Sequence, residues 1–203
     1  MSLAMISYSL PFPPISWYLK VLQLSSSNIY IVQDDIFAKM TYRNRYYICG
    51  AQGIAMQSVP LQNGRNQRVA MNTVRIDNSV RWQDVQWKTL QSLYKRAPYF
   101  DYLAPELESL FNTQWDLLID FNQAGIQIVN KLMRLPFGIQ VVDSHYLSVL
   151  NESENIDIRR QLHPKLNLDG VQLPKYWQVF EDKVGFQPNM SILDYLLNEG
   201  IHL

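Results

Sequence analysis

The sequence predicts a mixed α/β fold: one domain spanning residues 1–203, with a mixed sheet of about five strands covered by helices. In the first half, short segments rich in β-branched and aromatic residues are separated by turn residues, which is typical of strands. From Trp82 onward, apolar residues recur mainly with helical spacing. With 203 residues and 47% hydrophobic content, the chain can bury a substantial core.

The predicted strands share β-branched or aromatic side chains and lie at 4–9, 28–33, 45–49, 54–60, 69–76 and 139–142, the last extendable through 145–149. The glycine-containing turn at 50–53 predicts a hairpin between the third and fourth of these segments. Residues 69–76 alternate apolar and polar, the pattern of a half-buried strand. Because most of these segments precede Trp82, we expect a strand-rich first half and a helix-rich second half.

The predicted helices have apolar residues on one face and cover 15–24, Trp82 to a stop at Pro98, 104–112, 114–134 and 192–198. Before the last one, Ser191 is placed to cap the helix and Asp194 to reach back towards the cap. Residues 151–175 mix charged residues, proline and asparagine without a period, and we expect an extended surface crossing there.

Composition excludes several classes of protein. The 18 basic and 18 acidic residues cancel, so a nucleic-acid footprint is not predicted. No apolar run approaches 18 residues, so no transmembrane span is predicted, and the opening residues lack the positive region of a signal peptide. The single cysteine, Cys49, excludes an internal disulfide and a cysteine-based zinc site, which favours a cytoplasmic location.

A neutral, aromatic-rich surface suits a small-molecule substrate such as a sugar, or else a protein partner. Aromatic residues such as Tyr46 or Tyr47, if exposed, would support a homo-oligomer. The sequence does not identify a cofactor. The Walker A, GxGxxG, GxSxG and HExxH signatures are all missing, which argues against nucleotide hydrolysis, dinucleotide chemistry and classical esterase chemistry.

The run from Gln33 to Ile48 concentrates polar groups between two predicted strands. Asp34 and Asp35 follow a strand, where paired acids bind Mg²⁺ or supply a general base; the alternative is that they cap a turn or pair with arginine. Arg43-Asn44-Arg45 suits recognition of a carboxylate or phosphate, or else a set of structural ion pairs. If this stretch is extended, Arg43 and Arg45 share one face.

His163 is the strongest candidate for a general acid or base, because its reference pKa is near neutral, and Lys165 adds a cation for a phosphate. The alternative is a loop histidine that bonds to backbone. His145, on the extension of the last predicted strand, is expected to be structural. Cys49 as a nucleophile is disfavoured, since no helix N-terminus follows it to lower its pKa.

The chain resembles the WbqC-like protein family along nearly its whole length, in order. The resemblance rests on residues 10–18 (LPFPPISWY), 33–35 (QDD), Lys39, 42–45 (YRNR), 74–76 (VRI), Trp82, 87–89 (WKT), 98–100 (PYF), 162–165 (LHPK), 176–180 (YWQVF) and 185–194 (GFQPNMSILD).

This resemblance implies an enzyme of bacterial surface-polysaccharide (O-antigen type) biosynthesis, a group transferase acting on an amino sugar or sugar nucleotide with an aminoacyl or similar group. A non-catalytic accessory or ligand-binding protein of the same pathway is the alternative. The sequence lacks a glycine-containing strand-turn segment that longer members carry before the closing region, since 146–175 contain only Gly170. We assign Asp35 and His163 to catalysis and Lys39, Arg43, Asn44, Arg45 and Lys165 to substrate binding, with no metal.

Overall fold

The computed structural model describes residues 3–24, 28–149, 155–166 and 168–201. The strands are β1 (Ala4–Tyr8), β2 (Asn28–Val32), β3 (Arg45–Gly50), β4 (Gly53–Ser58), β5 (Gly138–Val142) and β6 (Asn155–Asp157). The helices are α1 (Ile15–Gln23), α2 (Trp82–Tyr94), α3 (Phe100–Asn112), α4 (Leu118–Met133), α5 (Ser144–Ser148), α6 (Glu181–Val184) and α7 (Ile192–Glu199). The mixed α/β class is therefore confirmed.

The strands divide between two sheets instead of forming one. A parallel sheet has the order β5-β2-β1-β6, and β3 and β4 form a separate antiparallel hairpin. β1 and most of β2 are buried, as expected for strands at the centre of a parallel sheet. Side-chain alternation gives the sheet two packed faces, with Met5 and Ile29 in the main core and Ala4 and Tyr30 in a smaller cluster.

Three local predictions were wrong. Residues 71–73 form a 3₁₀ turn instead of part of a strand, which places Met71 and Val74 on one buried side through their i, i+3 spacing. Residues 144–148 form a helix, because the Asp143 side chain accepts a hydrogen bond from the Tyr146 N–H and caps it, so His145 is helical. The segment 151–175 was predicted to cross the surface without regular structure, but its residues 155–157 form β6, which pairs with β1 in the sheet. Residues 151–154 and 167 lie outside the described residues.

The tryptophans at the start of the helical half belong to the core. Trp82 packs edge-on against Phe121, and Trp87 stacks on Phe111. Both rings are buried, so they pack within the protein and are not presented for stacking on a sugar.

Asp194 joins the C-terminal helix to the rest of the fold. Its side chain has no exposed surface. Ser191 caps α7 by accepting from the Leu193 N–H, but Asp194 turns inward instead of reaching back to the cap. The carboxylate accepts hydrogen bonds from the hydroxyls of Tyr94 and Tyr176, the Gln178 amide and the Cys49 N–H. These four donors come from three separate parts of the chain, because Tyr176 and Gln178 are only two residues apart.

Replacing Asp194 with alanine would leave the buried hydroxyls of Tyr94 and Tyr176 without their acceptor. The Cys49 N–H and the Gln178 amide would keep other acceptors. Because an unsatisfied buried donor is destabilising, we expect the free energy of unfolding to fall by at least about 3 kcal/mol in chemical denaturation. Asp182→Ala, at an exposed position on α6, should change it by less than about 0.5 kcal/mol. A loss below about 1 kcal/mol at Asp194 would contradict the structural role.

Candidate ligand site at the carboxyl edge of the sheet

Polar groups gather at one edge of the parallel sheet. β1 ends at Tyr8, Asp34 and Asp35 follow β2, and β6 ends at Asp157. Because the strands are parallel, their carboxyl ends lie at the same edge, which is where open α/β sheets bind ligands.

Asp35 lies between two guanidinium groups. Its Oδ1 is 2.8 Å from Nη1 of Arg159, and its Oδ2 is 3.6 Å from Nη2 of Arg43. Burial raises the pKa of Asp35 above its ordinary value, and the two arginines counteract that increase. The carboxylate therefore holds two cations together, and Arg159 is in turn bound by Asp157 at 2.6 Å.

Asp34 points away from Asp35. Its carboxylate accepts hydrogen bonds from the Ser144 N–H and hydroxyl, both at 2.9 Å to Oδ1. Burial acts to raise the pKa of Asp34, but the Ser144 bonds outweigh it and the pKa lies below its ordinary value. The two acids thus diverge and do not form a paired carboxylate site. Within the described residues, no group of three or more His, Cys, Asp or Glu side chains is placed to hold a metal ion.

Arg43 has donor capacity that its neighbours do not use. Its guanidinium lies over the Tyr8 ring at 3.9 Å, a cation–π contact. Nη1 reaches Thr41 Oγ1 only at 3.4 Å, and Nε is buried with no hydrogen-bond partner among the described residues. Burial lowers the pKa of Arg43. An anion from a ligand would satisfy these donors.

Asn44 holds the hairpin in place. It is buried, and its amide donates to the Val59 carbonyl at 3.0 Å and to Ser58 Oγ at 3.3 Å. Both contacts lie at the end of β4, where they fix the entry into β3. The amide donors predicted to bind substrate are therefore engaged by the fold.

Arg45 points to a different place from Arg43. Residues 42–44 form a 3₁₀ turn, so the extended backbone that would place both arginines on one face is not present. Arg45 is 6% exposed, and its Nη1 lies 3.5 Å from the sulfur of Met56 and 3.9 Å from that of Met40. The guanidinium is therefore buried against two thioethers.

His163 and Lys165 line one cavity of about 580 Å³, and the wall around them is mostly apolar and aromatic: Met40, Tyr42, Tyr47, Ile54, Pro164, Leu166, Leu173, Pro188, Asn189 and Met190. The rings of Tyr42 and Tyr47 meet edge to face at 5.8 Å. Nδ1 of His163 accepts from the Lys165 N–H at 3.2 Å, so the neutral ring carries its proton on Nε2. Tyr47 thus belongs to the cavity wall, while Tyr46 is buried in the core.

Tyr8 links this cavity to the Asp35 cluster. Its ring supports the Arg43 guanidinium, and its hydroxyl donates to the carbonyl of Leu162, the residue before His163. Asp35 and Arg43 themselves do not line the cavity. The structure therefore brings the predicted residues into two adjacent groups instead of one pocket.

Lys39 lies in a separate depression. Its Nζ is 3.0 Å from Asn66 Oδ1, and it lines this depression with Arg65 and Arg68. Lys39 and His163 thus do not share a cavity in the structure.

Sequence reasoning missed Arg159, Tyr8 and Met40. Arg159 follows a three-residue strand within a segment that has no period, so no local signal marks it. Tyr8 reads as an ordinary strand residue. Met40 could be noticed only as an apolar residue inside the polar run.

The geometry defines an α/β protein with charged groups at the carboxyl edge of a parallel sheet, next to an aromatic-lined cavity. The chain belongs to the WbqC-like protein family, whose model matches residues 11–172. Searches of curated proteins and of solved structures each found no match. In the part of the chain that the structure describes, no helix is long and apolar enough to cross a membrane.

Cys49 is expected to be unreactive in the folded protein. It is buried, and burial raises the pKa of its thiol to about 12, so the reactive thiolate is scarce near neutral pH. Ellman's reagent at pH 8 should therefore titrate Cys49 slowly in the native protein and release one equivalent once the chain is unfolded. Rapid native labelling would show that the thiol is accessible and ionised.

Replacing Asp35 with asparagine would leave Arg43 and Arg159 without their shared carboxylate. We expect the free energy of unfolding to fall by roughly 1.5–3 kcal/mol, the range for hydrogen bonds to charged groups. Asp182→Asn, at an exposed position on α6, is the control, because it removes one negative charge without touching either arginine, and it should have a smaller effect. Equal losses for the two variants would contradict the role assigned to Asp35.

Proposed function

We propose that this WbqC-like protein is a cytoplasmic enzyme of bacterial surface-glycan biosynthesis, transferring an aminoacyl or similar group to an amino sugar or sugar nucleotide. The observation that carries the proposal is the cavity in which His163 and Lys165 face aromatic side chains beside the carboxyl edge of the sheet. Its family supports the pathway, and the cavity supports a small-molecule ligand.

The cavity has the character of a small-molecule site. Its volume of about 580 Å³ falls within the usual range for ligand pockets, and its wall is mostly apolar with a few polar groups that would orient a ligand. Lys165 would hold a phosphate as a point charge. The tyrosine rings would contact the apolar faces of a sugar.

The reaction assigns a proton-transfer role to His163. The amino group of the acceptor would attack the carbonyl carbon of the donor, and the bond from that carbon to the leaving group would break. His163 would act in its imidazolium form, with Nδ1 protonated in place of accepting from the Lys165 N–H, and would donate its Nε2 proton to the leaving group. Asp35 would accept the proton that the amino group loses on attack. Asp35 is the second proposed proton-transfer residue, acting when a ligand anion engages Arg43 and Arg159 in its place.

A specific observation favours the alternative function of a non-catalytic ligand-binding protein. Asp35 is paired with two guanidinium groups, so in this arrangement its charge holds the arginines and is not free to act as a base. Arg43 would then bind an anion without any subsequent chemistry.

A thermal-shift panel of nucleotide sugars and amino acids, followed by mass spectrometry of the mixtures, tests both functions. A ligand at 100 times its Kd should stabilise the protein by about 2.7 kcal/mol, which gives a shift of several degrees. Ligand binding with product formation supports the enzyme, and binding without product supports the alternative. Silence across the panel would contradict both.

His163→Ala should keep ligand binding and reduce product formation by about 100-fold or more, since general acid–base catalysis contributes that much. His145→Ala, at an exposed position on α5, is the matched control and should retain full turnover. Unchanged turnover in His163→Ala would remove the histidine from the mechanism.

A further inference from the structure

Among the residues that the structure describes, Arg45 is a buried cation without a counter-ion. Arg45 is only 6% exposed, and its guanidinium takes part in none of the ion pairs among the described residues. Its Nε is buried with no hydrogen-bond partner there, and Nη1 contacts only thioether sulfurs, which are weak acceptors. Burying a guanidinium in this way is unfavourable, so an anion placed at this point would be strongly favoured.

The guanidinium lies on the hairpin face that lines the cavity. Side chains alternate along β3, so Arg45 and Tyr47 point to the same side. In the antiparallel register Tyr47 is opposite Met56, and Cys49 is opposite Ile54, which places these β4 side chains on that side as well. Tyr47 and Ile54 both line the cavity that contains His163 and Lys165.

Two methionines cover Arg45. Met40 and Met56 are each 50% exposed, and Met40 also lines the cavity. Methionine is unbranched and flexible, so both side chains can move without disturbing the core. The backbone of Met40 is left-handed, with φ 65, a conformation that is unfavourable for a residue with a side chain.

We propose that Arg45 is the recognition site for the carboxylate of an amphipathic small molecule, which reaches the guanidinium by displacing Met40 and Met56. The apolar or aromatic part of the molecule then occupies the cavity beside Tyr47. The inference concerns the same cavity as the proposed transfer reaction, but it requires only binding.

Charge balance selects a carboxylate over a phosphate. Arg45 supplies one positive charge, and its covering side chains are thioethers that offer no hydrogen-bond donors. A carboxylate carries one negative charge and matches the guanidinium with two parallel hydrogen bonds. A phosphate dianion at the same point would keep an uncompensated negative charge in an apolar setting, which is strongly disfavoured.

The test is calorimetric titration of the full chain with butyrate, hexanoate and benzoate, with inorganic phosphate as the comparison anion. We expect affinity to rise from butyrate to hexanoate, because additional CH₂ groups enter the apolar cavity. At the Arg45 site, phosphate should bind at least tenfold more weakly than hexanoate. Phosphate binding that is tighter than that of any carboxylate and is lost in Arg45→Met would overturn the assignment of ligand class.

Arg45→Met tests the residue directly, because it removes the charge and retains an apolar chain of similar length. It should weaken hexanoate binding at least tenfold and leave the melting temperature unchanged or raised, since a buried unpaired charge is lost. Arg96→Met, at an exposed position after α2, is the matched control and should bind hexanoate as the unmodified protein does. Undiminished hexanoate binding by folded Arg45→Met would overturn the proposal.

Met40→Gly tests whether the methionine side chains block access to the guanidinium of Arg45, and it keeps the proposal falsifiable if Arg45→Met does not fold. Glycine suits the left-handed backbone and removes one covering side chain, so hexanoate should bind about threefold to tenfold more tightly. Unchanged or weaker hexanoate binding by Met40→Gly would contradict the proposed covering role of Met40. The two proposals fail separately: hexanoate binding without any transfer product removes only the reaction, and hexanoate binding that survives Arg45→Met removes only the carboxylate site.

Discussion

The buried carboxylate of Asp194 is the interaction on which the arrangement of this protein depends. Within the described residues, the β3–β4 hairpin is not hydrogen-bonded into the parallel sheet, so other contacts must fix its position. The N-terminal end of α7 supplies them: Asp194 accepts from the Cys49 N–H, and the Ser191 N–H donates to the Tyr47 carbonyl at 2.7 Å. The residues just before α7, from Pro188 to Met190, line the cavity, so the same contacts define both the hairpin position and the cavity wall.

Local patterns in the sequence were sufficient where local interactions decide the structure. The segment at 28–33 and the helical period of 114–134 were predicted within a few residues, because neighbouring side chains specify them. Residues 69–76 alternate like a strand, but their backbone pairs with loop residues, including Ala70 with Ile36, and a 3₁₀ turn results. β6 has only three residues, too few for a period, and β1 alone defines it as a strand.

The candidate site was predictable only in part, for the same physical reason. Asp35 and Arg43 lie in one short run, and pairing between them was considered from the sequence. Arg159 is 124 residues from Asp35, and only the parallel sheet brings the ends of β2 and β6 to the same edge. A single 3₁₀ turn at 42–44 directs Arg43 towards Tyr8 and Arg45 towards the methionines, which alternation along a strand could not predict.

The place of β1 within the parallel sheet has a consequence for biosynthesis. β1 pairs with β2 on one side and with β6 on the other, and the register joins Ala4 to Asn155. A ribosome adds about 5–20 residues per second. The edge of β1 that pairs with β6 therefore stays unpaired for roughly ten seconds or longer before β6 is synthesised. During that interval the edge can pair with another nascent chain, and the distant partner also makes closure of the sheet slow. Yield in a heterologous host should therefore depend on temperature and chaperone supply more strongly than the stability of the finished fold would indicate.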